Sequence, residues 1–147
     1  MFVVDTNILV YAVDEDAPEH KKCNELLAQW REQSSAWFLT WGICYEFLRV
    51  TTHRHILRKP CSAREAWGIL EALFASLGLG LLIPTERHAV VAAEVLQQVP
   101  SLAGNVMHDL HTAVLMREHG IRRIYTRDTD FHRFPFLEPM DPMSQKA

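Results

Sequence analysis

The chain has 147 residues, of which 48% are hydrophobic and 22% charged, with a formal net charge of −3. These values predict one folded domain over residues 1–147 and exclude a disordered or strongly basic protein. The three cysteines are too widely spaced and too few to form a disulfide framework, so the cytoplasm is the expected compartment. The longest apolar stretch, residues 72–84, is too short to cross a bilayer, so no membrane association is expected.

Short apolar strands alternate with helices in the first half of the chain. The pattern predicts, in order, a strand at 2–4, a helix over 8–13, a helix over about 19–31, a strand at 36–39 and a helix ending near residue 53. Thr40 is expected to cap the last of these helices through its side-chain oxygen.

The second half continues the alternation. Ser62 and Glu65 form a capping-box pattern that predicts a helix through Leu77. There follow a strand at 81–83, a helix from a Thr85 cap to about 98, a helix from an Asn105 cap to just before Gly120, a strand at 123–126 and an edge strand at 136–140. Continuous apolar strands separated by helices predict a three-layer α/β/α sandwich whose central parallel sheet has four to five strands.

Four acidic residues fall at equivalent places in this arrangement. Asp5 and Asp128 each follow a strand directly, while Glu46 lies in the second turn and Asp109 in the first turn of their helices. In a parallel sheet the carboxyl ends of the strands and the amino ends of the following helices share one edge, where ligands bind. The sequence therefore predicts that four carboxylates meet at one edge of the sheet.

Each acid also has a structural explanation. Asp5 and Asp128 are suitable helix caps, Glu46 can pair with Arg49 on its own helix, and Asp109 suits the positive end of a helix dipole. Carboxylates about 4 Å apart, however, repel each other by roughly 4 kcal/mol at an effective dielectric near 20. A bound cation relieves that repulsion, and ligation by oxygen alone favours Mg²⁺ or Mn²⁺. Metal-dependent phosphodiester hydrolysis is the chemistry that fits this pattern best.

Four segments in order resemble the PIN domain, and more narrowly the VapC-type toxin ribonucleases of bacterial toxin–antitoxin pairs. They are VVDTNILVYAVD, ICYEFLRV, GNVMHDLHTAVLMREHG and IYTRDTDF, and together they span nearly the whole chain. The resemblance implies an endoribonuclease dependent on Mg²⁺ or Mn²⁺, with an RNA substrate, a cognate antitoxin and a homodimeric assembly.

The resemblance also implies roles for individual residues. Asp5, Glu46, Asp109 and Asp128 match the acidic quartet that binds metal and carries catalysis, with Asp5 and Asp109 as the most direct ligands. Asn7 and Thr126 match supporting positions that hold the carboxylates by hydrogen bonds. Asp130 is an additional acid that either assists or replaces Asp128.

Positive charges near the acids are candidates for RNA binding, because phosphate contacts supply much of the affinity for nucleic acids. The candidates are Arg49, Arg54, Arg58, Lys59 and, beside the fourth acid, Arg127. A solvated helix end and loop explain the first four equally well. The eight histidines lack the partner spacing of a zinc site.

A stripe of apolar residues, Leu70, Leu73, Phe74 and Leu77 with Trp67 beside it, is expected to pack in the core. The resemblance offers another use for it, since such toxins form dimers and bind an antitoxin over apolar grooves. Three further tryptophans are candidates for the same surfaces: Trp30, Trp37 and Trp41.

Two other functions remain open on the sequence. A phosphatase with an aspartyl nucleophile also begins with an acid after its first strand, but it needs a second acid where Asn7 stands and a suitably placed lysine. A non-catalytic binding module on the same fold is the other alternative, and the intact acidic quartet argues against it.

Overall fold

The computed structural model of the chain describes residues 1–144, so the last three residues of the predicted domain lie outside the described residues. The strands are β1 (Phe2–Val4), β2 (Trp37–Thr40), β3 (Leu79–Leu82), β4 (Arg123–Tyr125) and β5 (Glu138–Met140). The helices are α1 (Thr6–Val13), α2 (His20–Glu32), α3 (Trp41–Thr51), α4 (Ala63–Phe74), α5 (His88–Gln98) and α6 (Val106–Glu118). A 3₁₀ turn at Thr129–Arg133 separates β4 from β5.

All five strands are parallel and lie in the order β3-β2-β1-β4-β5. The first strand of the chain is therefore the central strand of the sheet, with Val3 paired to Phe38 on one side and Ile124 on the other. Helices flank the sheet, and its apolar strands are buried among them. The predicted α/β sandwich with a parallel sheet is confirmed, because continuous apolar strands need cover on both faces.

The helix after Ser62 ends at Phe74 and not at Leu77, which is 89% exposed. The chain must turn there to begin β3, and Gly78 allows it to pass close to the neighbouring backbone. A side chain at Gly78 would place its Cβ 2.4 Å from the carbonyl oxygen of Ser35. The strand that follows begins two residues earlier than predicted, at Leu79, because Leu79 and Gly80 already pair with β2. The missing side chain of Gly80 leaves room for the ring of Phe38.

Two predicted caps act differently from expectation. Helix α5 begins at His88, and the Thr85 hydroxyl accepts a hydrogen bond from the Arg87 N–H while donating one to Glu118. Asn105 occupies the capping position of α6, but its side chain makes no capping hydrogen bond.

The end of α6 follows the prediction. Gly120 has a φ of 67° and donates to the carbonyl of Arg117, while the Ile121 N–H bonds the carbonyl of Met116. This pair of bonds is a Schellman motif, which needs a residue in the left-handed region.

The tryptophans divide between core and surface. Trp30 and Trp37 are buried, and Trp30 packs against Phe2 and Tyr125 with ring centroids 5.1 and 4.8 Å away. Both therefore belong to the core, and the suggestion that they line a partner surface is wrong. Trp41 is 40% exposed.

Within residues 1–144, none of the helices combines the length and apolarity that a bilayer crossing requires. In the same part of the chain the three cysteines are free; Cys23 and Cys44 are buried and Cys61 is partly buried.

Candidate active site

Asp5 ends the central strand and caps α1. Its Oδ1 accepts a hydrogen bond of 2.7 Å from the Thr6 N–H, and its Oδ2 accepts bonds from the Asn7 amide at 2.8 Å and the Thr126 hydroxyl at 2.6 Å. The residue is only 8% exposed, and this burial raises the pKa of the Asp5 carboxyl to about 6 despite the three donors. Asp5 can therefore be both a helix cap and a site residue. One of its carboxylate oxygens caps α1, and the other faces Asn7 and Thr126.

Thr126 holds the first and fourth predicted acids together. Its hydroxyl donates to Asp5 and accepts from the Asn7 amide at 3.2 Å and from the Asp128 N–H at 2.9 Å. One donor and two acceptor positions are all that a hydroxyl has. The Asn7 amide is itself oriented, since its oxygen accepts a 3.2 Å bond from the Arg127 N–H.

The closest group of acids is Asp109, Asp128 and Asp130. One carboxylate oxygen from each lies within 4.8 Å of those of the other two. Helix α6 supplies Asp109 from its first turn, and the 3₁₀ turn supplies the other two. Asp128 caps that turn by accepting a 2.8 Å hydrogen bond from the Asp130 N–H, while the Asp130 carboxylate also pairs with Arg133 at 3.2 Å.

Asp109 lies where the fields of all the acids overlap. Burial first, and then the negative charges of Asp128, Asp5, Asp130 and Glu46, raise the pKa of the Asp109 carboxyl to about 7. A carboxyl group with this pKa is only about half ionised at neutral pH, and a nearby cation would favour its charged form. The structure therefore brings the predicted acids into one electrostatic site, with Asp109 at its centre.

Glu46 stands apart from the closest group. Its carboxylate forms a two-point ion pair with Arg49 of the same helix, at 2.9 Å from Nε and 2.6 Å from Nη2. This hydrogen bonding is the main reason that the pKa of Glu46 lies below its usual value. Glu46 therefore contributes to the field at Asp109 while its own charge is already balanced.

The predicted RNA-binding cations are in different situations. Arg127 is bound by two acids, Glu19 at the start of α2 and Asp141 after β5. Arg58 lies 3.9 Å from Asp16 in an exposed pair, while Arg54 and Lys59 are exposed and form no ion pair within residues 1–144.

Sequence reasoning missed the contacts that anchor the site from outside. Glu19 and Asp141 fix Arg127, whose N–H orients Asn7, and nothing in their local sequence marks them. His111 makes another such contact: its Nδ1 would lie 3.5 Å from a Cβ at Gly42, so α6 closely approaches the first turn of α3. That contact depends on how two helices pack and has no sequence signal.

The donors at this site are carboxylate oxygens, which are the ligands of hard divalent cations such as Mg²⁺ and Mn²⁺. The three closest oxygens and the raised pKa of Asp109 fit such an ion. A hard cation would be bound by Asp109, Asp128 and Asp130, with Asp5 and Glu46 at the border.

Comparison with known proteins identifies the family of the chain. The PIN domain family matches residues 2–137. The chain is 31% identical over 143 residues to Ribonuclease VapC43 of Mycobacterium tuberculosis, covering 97% of this chain and 96% of that protein. It is 29% identical over 140 residues to Ribonuclease VapC48 of the same organism, covering 95% and 96%.

Solved structures share the fold at lower identity. VapBC-1 from nontypeable Haemophilus influenzae superimposes with a TM-score of 0.67 at 18% identity, covering 97% of this chain and 98% of that one. VapC20 of Mycobacterium tuberculosis gives a TM-score of 0.64 at 17% identity, covering 90% and 93%. The chain belongs to the PIN domain family, and within it to the group of VapC proteins.

Proposed function

We propose that this protein is an endoribonuclease that depends on Mg²⁺ or Mn²⁺ and acts as the toxin of a toxin–antitoxin pair in the cytoplasm. Its substrate is RNA, and a cognate antitoxin inhibits it. The observation that carries the proposal is the close group of Asp109, Asp128 and Asp130 beside the buried Asp5. The two curated relatives at about 30% identity are both named ribonucleases, which supports RNA as the substrate.

The acids have different proposed roles, which follow from their distances and their surroundings. Asp109, Asp128 and Asp130 would hold the cation, because their oxygens are closest and Asp109 needs its charge offset. When bound, the ion activates water and stabilises the charge that develops on the phosphoryl group. Without it, the Asp109 carboxyl is only partly ionised near neutral pH.

Asp5 is positioned with more hydrogen bonds than the other acids. Thr6, Asn7 and Thr126 together fix both of its oxygens, so it presents its charge in one orientation. Preorganised charge of this kind costs no rearrangement during the reaction. Asn7 and Thr126 are therefore positioning residues that act through Asp5.

Glu46 and Arg49 border the site on α3. Their ion pair is exposed, with 40% of the Glu46 side chain and 59% of the Arg49 side chain accessible. Exposed pairs of this kind contribute about 1 kcal/mol or less, so a phosphate can take the place of Glu46 on Arg49 at little cost. Arg54 and Lys59 offer further positive charge along the same flank.

The structure favours this reading over a phosphatase with an aspartyl nucleophile. A nucleophilic carboxylate must reach the phosphorus with a free oxygen, whereas both oxygens of Asp5 accept hydrogen bonds and the residue is 8% exposed. Asn7, at the place of the second acid in such enzymes, donates its amide to Asp5 and Thr126.

The test is cleavage of labelled single-stranded RNA by the purified protein in the presence of Mn²⁺ or Mg²⁺. We expect Asp109→Asn and Asp5→Asn each to abolish cleavage while the folded structure is kept, and EDTA to do the same to the unsubstituted protein. Glu94→Gln, which removes an exposed acid of α5 outside the site, is the matched control and should cleave normally. A protein whose cleavage survives both aspartate substitutions is not the enzyme proposed here.

The biological role has its own test. Induced expression should arrest growth, and co-expression of the protein encoded by the neighbouring reading frame should relieve the arrest. Light scattering of the purified protein tests the proposed homodimer.

A further inference from the structure

The arginines that flank the acids along the chain are already bound by acids of the same chain. Within residues 1–144 these pairs are Arg49 with Glu46, Arg58 with Asp16, Arg127 with Glu19 and Asp141, and Arg133 with Asp130. The whole chain also has a net charge of −3. Among the candidate cations, Arg54 and Lys59 form no ion pair within residues 1–144. Since phosphate neutralisation supplies most nonspecific affinity for nucleic acids, charge gives an RNA strand only part of the usual attraction here.

A row of aromatic side chains lies on the outer side of α3 and α4. The rings of Tyr45 and Trp41 have centroids 6.4 Å apart, those of Trp41 and Phe74 are 5.8 Å apart, and those of Phe74 and Trp67 are 6.2 Å apart. Tyr45 is 64% exposed and Trp41 40%. Their rings are tilted by 46° to each other, so they do not cover one another face to face.

The exposed end of this row borders the acidic site. Trp41 directly follows Thr40, at the carboxyl end of β2, and Tyr45 directly precedes Glu46. Between them lies the exposed Gly42, where an added Cβ would be 3.5 Å from Nδ1 of His111 on the helix that carries Asp109. A strand that leaves the acids across the start of α3 would meet Trp41 and Tyr45 within about one helical turn.

We propose that Trp41 and Tyr45 stack the bases of single-stranded RNA beside the acidic site. The inference rests on the proposed function, and it supplies the affinity that the internally paired arginines do not. Stacking does not depend on charge, so it can hold a polyanion next to a cluster of carboxylates. Bases of single-stranded RNA are also free to stack on aromatic side chains, whereas bases within a duplex are not.

The decisive comparison uses two probes of equal length, oligouridylate and a ribose-phosphate strand without bases. Binding is measured by fluorescence anisotropy with the cleavage-inactive Asp109→Asn protein, with and without Tyr45→Ala. We expect Tyr45→Ala to weaken oligouridylate binding by about 5- to 150-fold, the range that corresponds to one stacked base, and to leave the strand without bases unaffected. Tyr45→Phe, which keeps the ring, should restore binding.

In the cleavage-competent protein, the same substitution should raise KM and leave kcat nearly unchanged, because the ring contacts bases away from the scissile bond. Leu77→Ala, which also removes an exposed apolar side chain, is the control and should change neither value.

Unchanged affinity of Tyr45→Ala for oligouridylate would overturn the inference. If that result came together with a reduced molar mass in light scattering, the row would be a contact between protein copies. If the unsubstituted protein neither binds nor cleaves RNA, the proposed function itself has failed; a protein that cleaves normally after Tyr45→Ala refutes only the stacking.

Discussion

The Thr126 hydroxyl donates a 2.6 Å hydrogen bond to Oδ2 of Asp5, joining residues that are 121 positions apart in the chain. Both residues are buried, with 2% of Thr126 and 8% of Asp5 exposed. The bond crosses from the end of β1 to the end of β4, the two neighbouring strands at the centre of the sheet. Because the same hydroxyl accepts a hydrogen bond from the Asp128 N–H, this contact fixes Asp5 and Asp128 relative to each other.

Replacing Thr126 by Val should impair both stability and cleavage. The substitution removes the acceptor of the Asp128 N–H, one of the two acceptors of the Asn7 amide and one of the three donors to Asp5, at a cost of about 1–3 kcal/mol. The pKa of Asp5 should rise further, because this hydrogen bond lowers it in the native protein. Urea unfolding and the rate of RNA cleavage measure the two effects. Thr126→Ser keeps the hydroxyl and serves as the control; a valine variant with unchanged stability and rate would show that the bond does not position Asp5.

Stability of the metal-free protein should fall as the pH rises. The folded pKa of Asp109 is about 7 and its ordinary value is 3.8, so between these pH values the folded protein binds more protons than the unfolded chain. The free energy of unfolding therefore decreases through this window and levels off above it. Asp109→Asn should flatten the profile and stabilise the protein at pH 8 by about 1–2 kcal/mol, after allowance for solvent screening. Thermal unfolding in EDTA across the pH range is the measurement, and a profile that rises through the window would contradict it.

Mn²⁺ should raise the melting temperature at neutral pH, because it binds the folded acids and not the unfolded chain. Asp128→Asn should nearly abolish this shift. We expect Asp130→Asn to weaken Mn²⁺ binding by about tenfold, near the low end of the range for metal-site substitutions, because Arg133 already balances part of its charge. Isothermal titration with Mn²⁺ measures the affinities. Unchanged affinity in Asp130→Asn would remove this acid from the site.

Replacing Arg127 by Gln should destabilise the protein without changing how RNA binding depends on salt. Its two acidic partners are Glu19 and Asp141, and the Glu19 side chain is only 14% exposed, so the substitution leaves a largely buried charge unpaired. The expected loss is about 2 kcal/mol in urea unfolding.

The control for that experiment is Arg122→Gln, which breaks an exposed pair with Glu138 and should cost less than about 1 kcal/mol. A flatter salt dependence of RNA binding in Arg127→Gln would instead favour a phosphate contact for this residue.

The strand ends were the part of the site that the sequence could predict. Asp5 and Asp128 follow apolar strands and Asp109 lies in a first helical turn, so the parallel topology alone brings them to one edge. The ion pair between Glu46 and Arg49 could also be predicted from the sequence, because residues three apart on a helix are neighbours.

Other features depend on packing that the local sequence does not encode. Arg127 and Glu19 are 108 positions apart, and their contact requires α2 to lie beside the loop after β4. Asp130 joins the closest acids only because a 3₁₀ turn bends it back toward Asp109. Likewise, the exposure of Trp41 at the start of α3 depends on which helices pack around that turn, and Trp41 is 40% exposed although it follows a buried strand directly.

The central position of β1 has a consequence for the nascent chain during translation. The strand is made first, but its neighbour β4 and the acids of the 3₁₀ turn leave the ribosome more than a hundred residues later. Until then, Asp5 has no Thr126 hydroxyl beside it, and Asp109 has neither Asp128 nor Asp130. A chain synthesised up to that point contains three of the five acids of the site but not their geometry, so the site is assembled only after the last part of the chain has emerged.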